Sequence, residues 1–272
     1  MSAVAINVFL FLLGLVFGSF FNVLIYRLPR DLSIIKPGSH CPHCKTAIKW
    51  YDNIPLLSYI LLGGKCRACG GKISFRYPLI EFLTGVIFVG VPSLAKLVGL
   101  SGVKSAQVSS AHQAVSVIFV LLMMLIFVID LEHQIIPDQL NLALFILALV
   151  AVFVLRPTIS PSLMSSAIGM FALSIFFFAL AVSIGGMGMG DVKMAIGLGL
   201  FFGWQLVLVV AFLAFLIGGV FAIFLALRLV VSKKYRPRIA IPFGPYLAIA
   251  SAITLFYGEK ILGWYLSFFR VA

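Results

Sequence analysis

Charge is scarce in this chain. Only 10% of its 272 residues are Asp, Glu, Lys or Arg, against roughly 25% in soluble globular domains. With 62% hydrophobic residues and a mean hydropathy of +1.18, that shortage excludes a water-soluble fold. Acids are scarcer still: Asp31, Asp52, Glu81, Asp130, Glu132, Asp138, Asp191 and Glu259 complete the set. Gly-x-Ser-x-Gly and His-Glu-x-x-His are both missing, which removes the motifs of two competing hydrolase classes. No internal repeat is present, which weighs against a transporter built from duplicated halves. The first apolar run has no basic segment before it; Arg27 and Arg30 follow it instead, so it does not read as a cleavable signal peptide.

What fills the chain is apolar helix. A crossing helix needs roughly 20 apolar residues. Suitable runs lie at 5–25, 78–99, 113–130, 139–156, 162–184, 192–203, 205–229 and 242–258. The expectation is an all-α polytopic membrane protein of about eight transmembrane helices, with Gly203-Trp204 as a tight turn between two of them. The net charge of +12 does not indicate nucleic acid, because the basic residues cluster in two segments flanking apolar spans. Residues 27–77 hold nine Lys/Arg and residues 228–238 hold five. Eight spans place both segments on one side, the cytoplasm by the positive-inside rule. Loops 131–138 and 185–191 fall on the same side, and both termini on the other.

The 27–77 segment is the one connection long enough to fold by itself. It carries the chain's four cysteines as C-x2-C, 21 residues, C-x2-C: Cys41, Cys44, Cys66 and Cys69. Two such knuckles present four thiolates in a tetrahedron, which suits Zn²⁺. Disulfides are the competing reading and fit poorly in a reducing compartment. His40 and His43 flank the first knuckle and read as non-ligands, since four thiolates close the site. A closed site is structural. The chain therefore divides into a first transmembrane helix (1–26), a cytoplasmic four-cysteine zinc domain (27–77) and a transmembrane bundle (78–272).

Four of the eight acids sit in or beside the two short cytoplasmic loops. Asp130 ends an unbroken apolar helix, and Asp191 opens another after the glycine-rich stretch "GMGMGD". Two carboxylates brought together can divide the work of hydrolysis, one activating water and the other protonating the leaving amine. Helix capping is the plain alternative for Asp191, and more so for Asp138, which follows Pro137. Glu132 and His133 read equally well as solvated loop residues. Gly185, Gly186, Gly188 and Gly190 permit positive φ and close backbone approach, suiting a substrate peptide or simple helix packing. The stretch follows no predicted strand and is not a nucleotide-binding loop.

The residues carry a resemblance as well. "FGSFFNVLIYRLPR" (17–30), the two cysteine knuckles, "ISFRYPLIEFLTG" (73–85), "IDLEHQIIPD" (129–138), "GMGMGDVK" (186–193) and "IPFGPYLAIA" (241–250) resemble, in order, the motifs of type IV prepilin peptidases. These are membrane aspartic proteases of the Gly-x-Gly-Asp class. The resemblance implies Asp130 and Asp191 as the catalytic pair, with Gly188, Gly190, Asp138 and Glu132 as lesser substrate-positioning residues. It implies prepilins or type II secretion pseudopilins as partners, cleaved after a glycine that ends a basic leader. It further implies N-methylation of the new terminus with S-adenosylmethionine, for which no cofactor-binding residue is legible, and a bacterial inner-membrane location with the active site facing the cytoplasm. A transporter or channel using interfacial carboxylates, and a scaffold docking partners through its cysteine loop, are the readings from other classes.

Overall fold

The computed structural model describes residues 2–101, 103–154, 162–184, 187–231 and 242–268. They are helical apart from short connections, with only isolated bridges of extended pairing. The helices are α1 (Ala3–Arg27), α2 (Leu57–Leu61), α3 (Arg76–Val98), α4 (Ser110–His133), α5 (Asp138–Val154), α6 (Leu163–Ile184), α7 (Met189–Val231) and α8 (Gly244–Ser267). Five helical stretches have the length and hydropathy of a membrane crossing, within α1, α3, α4, α6 and α7. The chain forms two compact units, residues 1–93 and 94–272.

In the first unit α1 and α3 pack through small residues. A Cβ on Gly14 would lie 2.7 Å from the Gly85 Cα, and one on Gly18 would lie 2.6 Å from the Glu81 Cα. Small residues in a membrane helix let backbones touch, and dispersion contact replaces the hydrophobic drive that lipid cannot supply. Between these helices, residues 31–73 contain just two buried side chains, Cys41 and Ser58. Arg27, itself buried, donates to the carbonyls of Ser33, Pro37 and Gly38 at 2.8, 2.5 and 3.4 Å and ties the exit of α1 to the loop.

In the second unit α7 is the central element. Forty-three residues are too many for one crossing, and the helix breaks at Gly203, whose φ of 71° and ψ of 174° are not helical. The break is a reversal. Gly169 of α6 touches both Gly199 and Gly203, and the Trp204 N–H donates to Ser165 Oγ at 3.4 Å. Farther on, Phe176 and Phe177 of α6 meet Phe215. The first limb of α7 therefore runs antiparallel to α6, and the second limb runs parallel to it. With α7 read as two limbs, the described residues hold eight long helical segments, and the expected turn at Gly203-Trp204 is present.

α7 packs against α5, α6 and α8, and α4 packs against α5 and α8. Phe119 stacks on Phe201 with centroids 4.4 Å apart and meets Phe202 edge-on. At one end of this unit Ser101 donates to the Leu255 carbonyl at 2.8 Å, and Gly258 sits beside Ser101 and Leu206. At the other end, the C-terminus of α4 and the N-termini of α5, α7 and α8 gather. Asp130, Glu132, Asp138 and Asp191 lie there. Arg156, Gly185, Gly186, Lys233, Lys234, Arg236 and Arg238 lie outside the described residues.

Candidate active site and candidate metal centre

The gathered helix ends are joined by one short loop. Gln134 terminates α4 in the left-handed conformation (φ 56°), with its N–H on the Asp130 carbonyl at 2.9 Å. After three intervening residues α5 begins at Asp138. Ile136, buried in this loop, lies between the starts of α7 and α8. A Cβ on Gly190 would stand 3.0 Å from the Ile136 Cβ, and one on Gly244 would stand 3.1 Å from its Cδ1.

Asp130 and Asp191 lie on either side of this loop, near enough for the charge of one to act on the other. Asp130 is 5% exposed and Asp191 is 7% exposed. The Asp130 carboxylate accepts a hydrogen bond from the backbone of Gly244, the first residue of α8, and Asp191 feels the Asp130 charge directly. A Cβ on Gly244 would lie 2.6 Å from Asp130 Oδ2, so a larger residue there would displace the acid. Each carboxylate thus sits at a helix N-terminus, where unsatisfied N–H groups favour negative charge. Asp191 Oδ2 accepts from the Gly188 N–H at 3.2 Å, the reach-back of an acid in the first helical turn. Capping explains that oxygen and no more: Asp191 Oδ1 is buried and has no partner.

The other expected residues are nearby in different capacities. Asp138 is the first residue of α5 rather than its cap, and Lys193 of α7 grips both its oxygens at 2.7 and 2.8 Å. Glu132 lies 3.9 Å from His133. Neither Gly188 nor Gly190 has positive φ; the anticipated backbone freedom is not used there, and Gly190 is required instead by the closeness of Ile136. Three contributors were not singled out beforehand. Gly244 was legible as a glycine followed by proline, a helix-start signal. Ile136 and Asn141 carried no signal. Asn141 is buried and donates to the Gly190 carbonyl at 3.3 Å, while its own Oδ1 has no partner.

In the first unit the four cysteine sulfurs lie within 4.8 Å of one another, and Cys41 and Cys69 are 3.9 Å apart. Tetrahedral zinc with bonds of about 2.3 Å sets its sulfurs roughly 3.8 Å apart, so the donor set fits. The two knuckles repeat one hydrogen-bond plan. Cys41 N–H donates to Thr46 and Lys45 N–H returns to Cys41; Cys66 N–H donates to Gly71 and Gly70 N–H returns to Cys66. Lys45 and Gly70 occupy the same left-handed corner, with φ of 60° and 68°. The Thr46 hydroxyl and backbone draw the Cys44 thiol down to about 6. Cys69 is pushed up to about 11, because its neighbouring sulfurs outweigh the Gly71 N–H that favours its thiolate. Four sulfurs this close resist joint ionisation, and a divalent cation relieves that conflict. No cysteine is in a disulfide.

Comparison with known proteins places both units. Residues 12–94 match the bacterial peptidase A24 N-terminal domain, and residues 117–223 match the type IV leader peptidase family. A prepilin leader peptidase/N-methyltransferase of Pseudomonas aeruginosa is 35% identical over 94% of this chain and 92% of its own. The protein of that description from Bacillus subtilis is 30% identical over 94% and 96%. That from Klebsiella pneumoniae is 38% identical over 72% and 85%. No solved structure matches.

Proposed function

The chain belongs to the type IV leader peptidase family, and from that premise we propose that Asp130 and Asp191 hydrolyse the leader peptide bond of type IV prepilins or type II secretion pseudopilins. The observation that carries this reading is the pair itself. Two buried acids on different helices meet, and one keeps an oxygen that no protein group satisfies. One carboxylate takes a proton from water as it attacks the scissile carbonyl. The other, protonated, gives its proton to the departing amine. The N–H groups at the starts of α7 and α8 hold the charge of whichever acid is ionised. Gly188, whose Cβ would face Asp191 Oδ2 at 3.5 Å, keeps the approach to Asp191 free of a side chain, and Gly190 lets α7 start against Ile136. Asp138, already paired with Lys193, and Glu132 add negative charge to the same end of the bundle, toward which a basic leader is drawn. The transporter reading finds no support in the comparisons.

The same enzyme then methylates the amine it has exposed, with S-adenosylmethionine as donor. This half rests on the bifunctional description shared by the relatives. Cys41, Cys44, Cys66 and Cys69 hold a zinc ion whose four sulfur ligands leave no position for substrate; its contribution is to fold residues 27–77. The protein is a multi-pass membrane protein. We place it in the bacterial inner membrane, with the aspartates and the cysteine domain facing the cytoplasm. Mass spectrometry of a co-expressed prepilin tests both activities together. Loss of the leader and gain of one methyl group are expected. A full-length prepilin recovered beside well-accumulated enzyme contradicts the peptidase.

A further inference from the structure

Two of the sequence motifs take no part in peptide hydrolysis, and the fold brings them together. The stretch at 17–30 lies on α1 and the stretch at 73–85 on α3, and their polar residues share one seam. Asn22 Nδ2 donates to the Tyr77 carbonyl at 3.1 Å and to the Gly18 carbonyl at 3.3 Å. One turn farther along both helices, Gly18 brings the α1 backbone against Glu81. The Glu81 carboxylate is buried, with the side chain 8% exposed. It accepts from the Leu56 N–H at 2.8 Å and from the Ser19 hydroxyl, and no cation stands among the groups acting on it.

Holding the cysteine loop to the helix pair explains part of this. It does not explain why the anchor is an acid. A carboxylate offers about four acceptor positions, and two are used. Asn22, 3% exposed, has its Oδ1 buried with no donor; its amide orientation is fixed by the two carbonyls that its nitrogen serves. Leu56, which closes the seam over Glu81, has φ 60° and ψ −49°. A leucine pays for that conformation, and such strain gathers at functional sites. Among the described residues, the seam therefore has a buried acid without a counter-charge, a buried acceptor without a donor, and a strained backbone segment across it. An alkylammonium group answers the first two, since it brings one positive charge and three N–H donors.

We propose that Glu81 and Asn22 receive the N-terminal ammonium of the cleaved substrate, and that Glu81 is the base for its methylation. This rests on the methyltransferase half of the reading above. The Glu81 carboxylate takes one ammonium proton. The freed nitrogen lone pair forms a bond to the methyl carbon of a sulfonium donor as the carbon–sulfur bond breaks. The sulfur leaves as a neutral thioether, and the amine becomes a secondary ammonium that keeps the positive charge.

The test uses the purified full-length protein in nanodiscs, a prepilin peptide and S-adenosylmethionine, with cleavage and methylation read separately. Glu81→Gln keeps an acceptor for the Leu56 N–H and removes the base. Cleavage is expected within about twofold of wild type, with methylation lowered by about 10²-fold or more, the scale of a lost general base. A second readout needs no methyl donor. Binding of a pre-cleaved peptide with a free amine should weaken at least tenfold in Glu81→Gln, while binding of its N-acetylated form stays unchanged. Wild-type methylation by Glu81→Gln overturns the proposal. So does equal loss of cleavage and methylation with zinc retained, which assigns Glu81 to structure alone. A wild-type enzyme that cleaves and never methylates refutes the underlying bifunctional reading instead, and the amine-binding arm then still decides whether the seam takes an ammonium.

Discussion

The cysteine site and the aspartate site are assembled by opposite means. The cysteines come as two local knuckles, each set by a pair of backbone hydrogen bonds within six residues, in a segment where two side chains are buried between residues 31 and 73. The aspartates are 61 residues apart in sequence and meet because helices pack, with glycines and aromatic rings fixing how closely. With zinc bound as proposed, one site makes its surroundings fold; the other is made by surroundings already folded. Ligand removal and packing damage should therefore injure different parts of the molecule, and chemistry should be separable from both.

The largest effect expected is chemical. Asp130→Asn or Asp191→Asn should lower prepilin cleavage by about 10²–10⁴-fold or more, with the protein accumulating normally in membranes. Asparagine keeps the shape and an acceptor but cannot exchange a proton as the acid does. Substantial cleavage by either variant, in an assay of co-expressed prepilin, breaks the assignment of the pair.

Metal removal comes next. Cys66→Ser, or treatment with a strong chelator, should release one zinc per chain and open residues 27–77 to protease and hydrogen exchange. Residues 94–272 should keep their protection, because structural zinc supplies the folding energy of small cysteine domains and the bundle has its own packing. Equal loss of protection in both units would erase the contrast. The reciprocal injury is Gly169→Val: a Cβ there would lie 2.6 Å from the Gly203 carbonyl carbon. Overpacking of this kind costs about 1–3 kcal/mol and should lower the thermal midpoint of the bundle while zinc content stays at one.

How much of this was readable in advance follows the same division. The knuckles were legible because their spacing is local: two residues separate the cysteines in each, and metal chemistry dictates the rest. The helical segments were legible from apolar length, and the reversal at Gly203 from the brevity of the run before it. The neighbours of the aspartates were not legible. Ile136 is one more apolar residue beside a proline, and Asn141 is a polar residue four positions into an apolar helix. Their place arises from four helix ends meeting, which no local pattern encodes. Of the two roles the glycines at 188 and 190 suggested, positive φ and close approach, neither residue uses the first, and at 190 the missing Cβ serves the second against Ile136.

Smaller substitutions sharpen the picture around the acids. Asn141→Ala removes the hydrogen bond to the Gly190 carbonyl, about 1 kcal/mol in net terms, and kcat/KM for peptide cleavage should fall about fivefold. Lys193→Ala frees Asp138 from an exposed ion pair of the kind worth about 1 kcal/mol or less. It should change kcat/KM by less than about fivefold, and a larger drop would move Lys193 into the site.

The reversal at Gly203 also sets a length. From Met189 to Gly203 the first limb of α7 has 15 residues, or about 22 Å of helix. The hydrocarbon core of a bilayer is about 30 Å thick. If the helices around so short a limb share its span, lipid beside them thins to meet them, and thinning dimples the membrane surface. Hydrolysis in a membrane is limited by how far water must travel, and a dimple shortens that path. We predict that lengthening the lipid acyl chains in reconstituted vesicles slows cleavage modestly, at constant bound enzyme and substrate. Rates indifferent to chain length would show that water reaches the aspartates by another route.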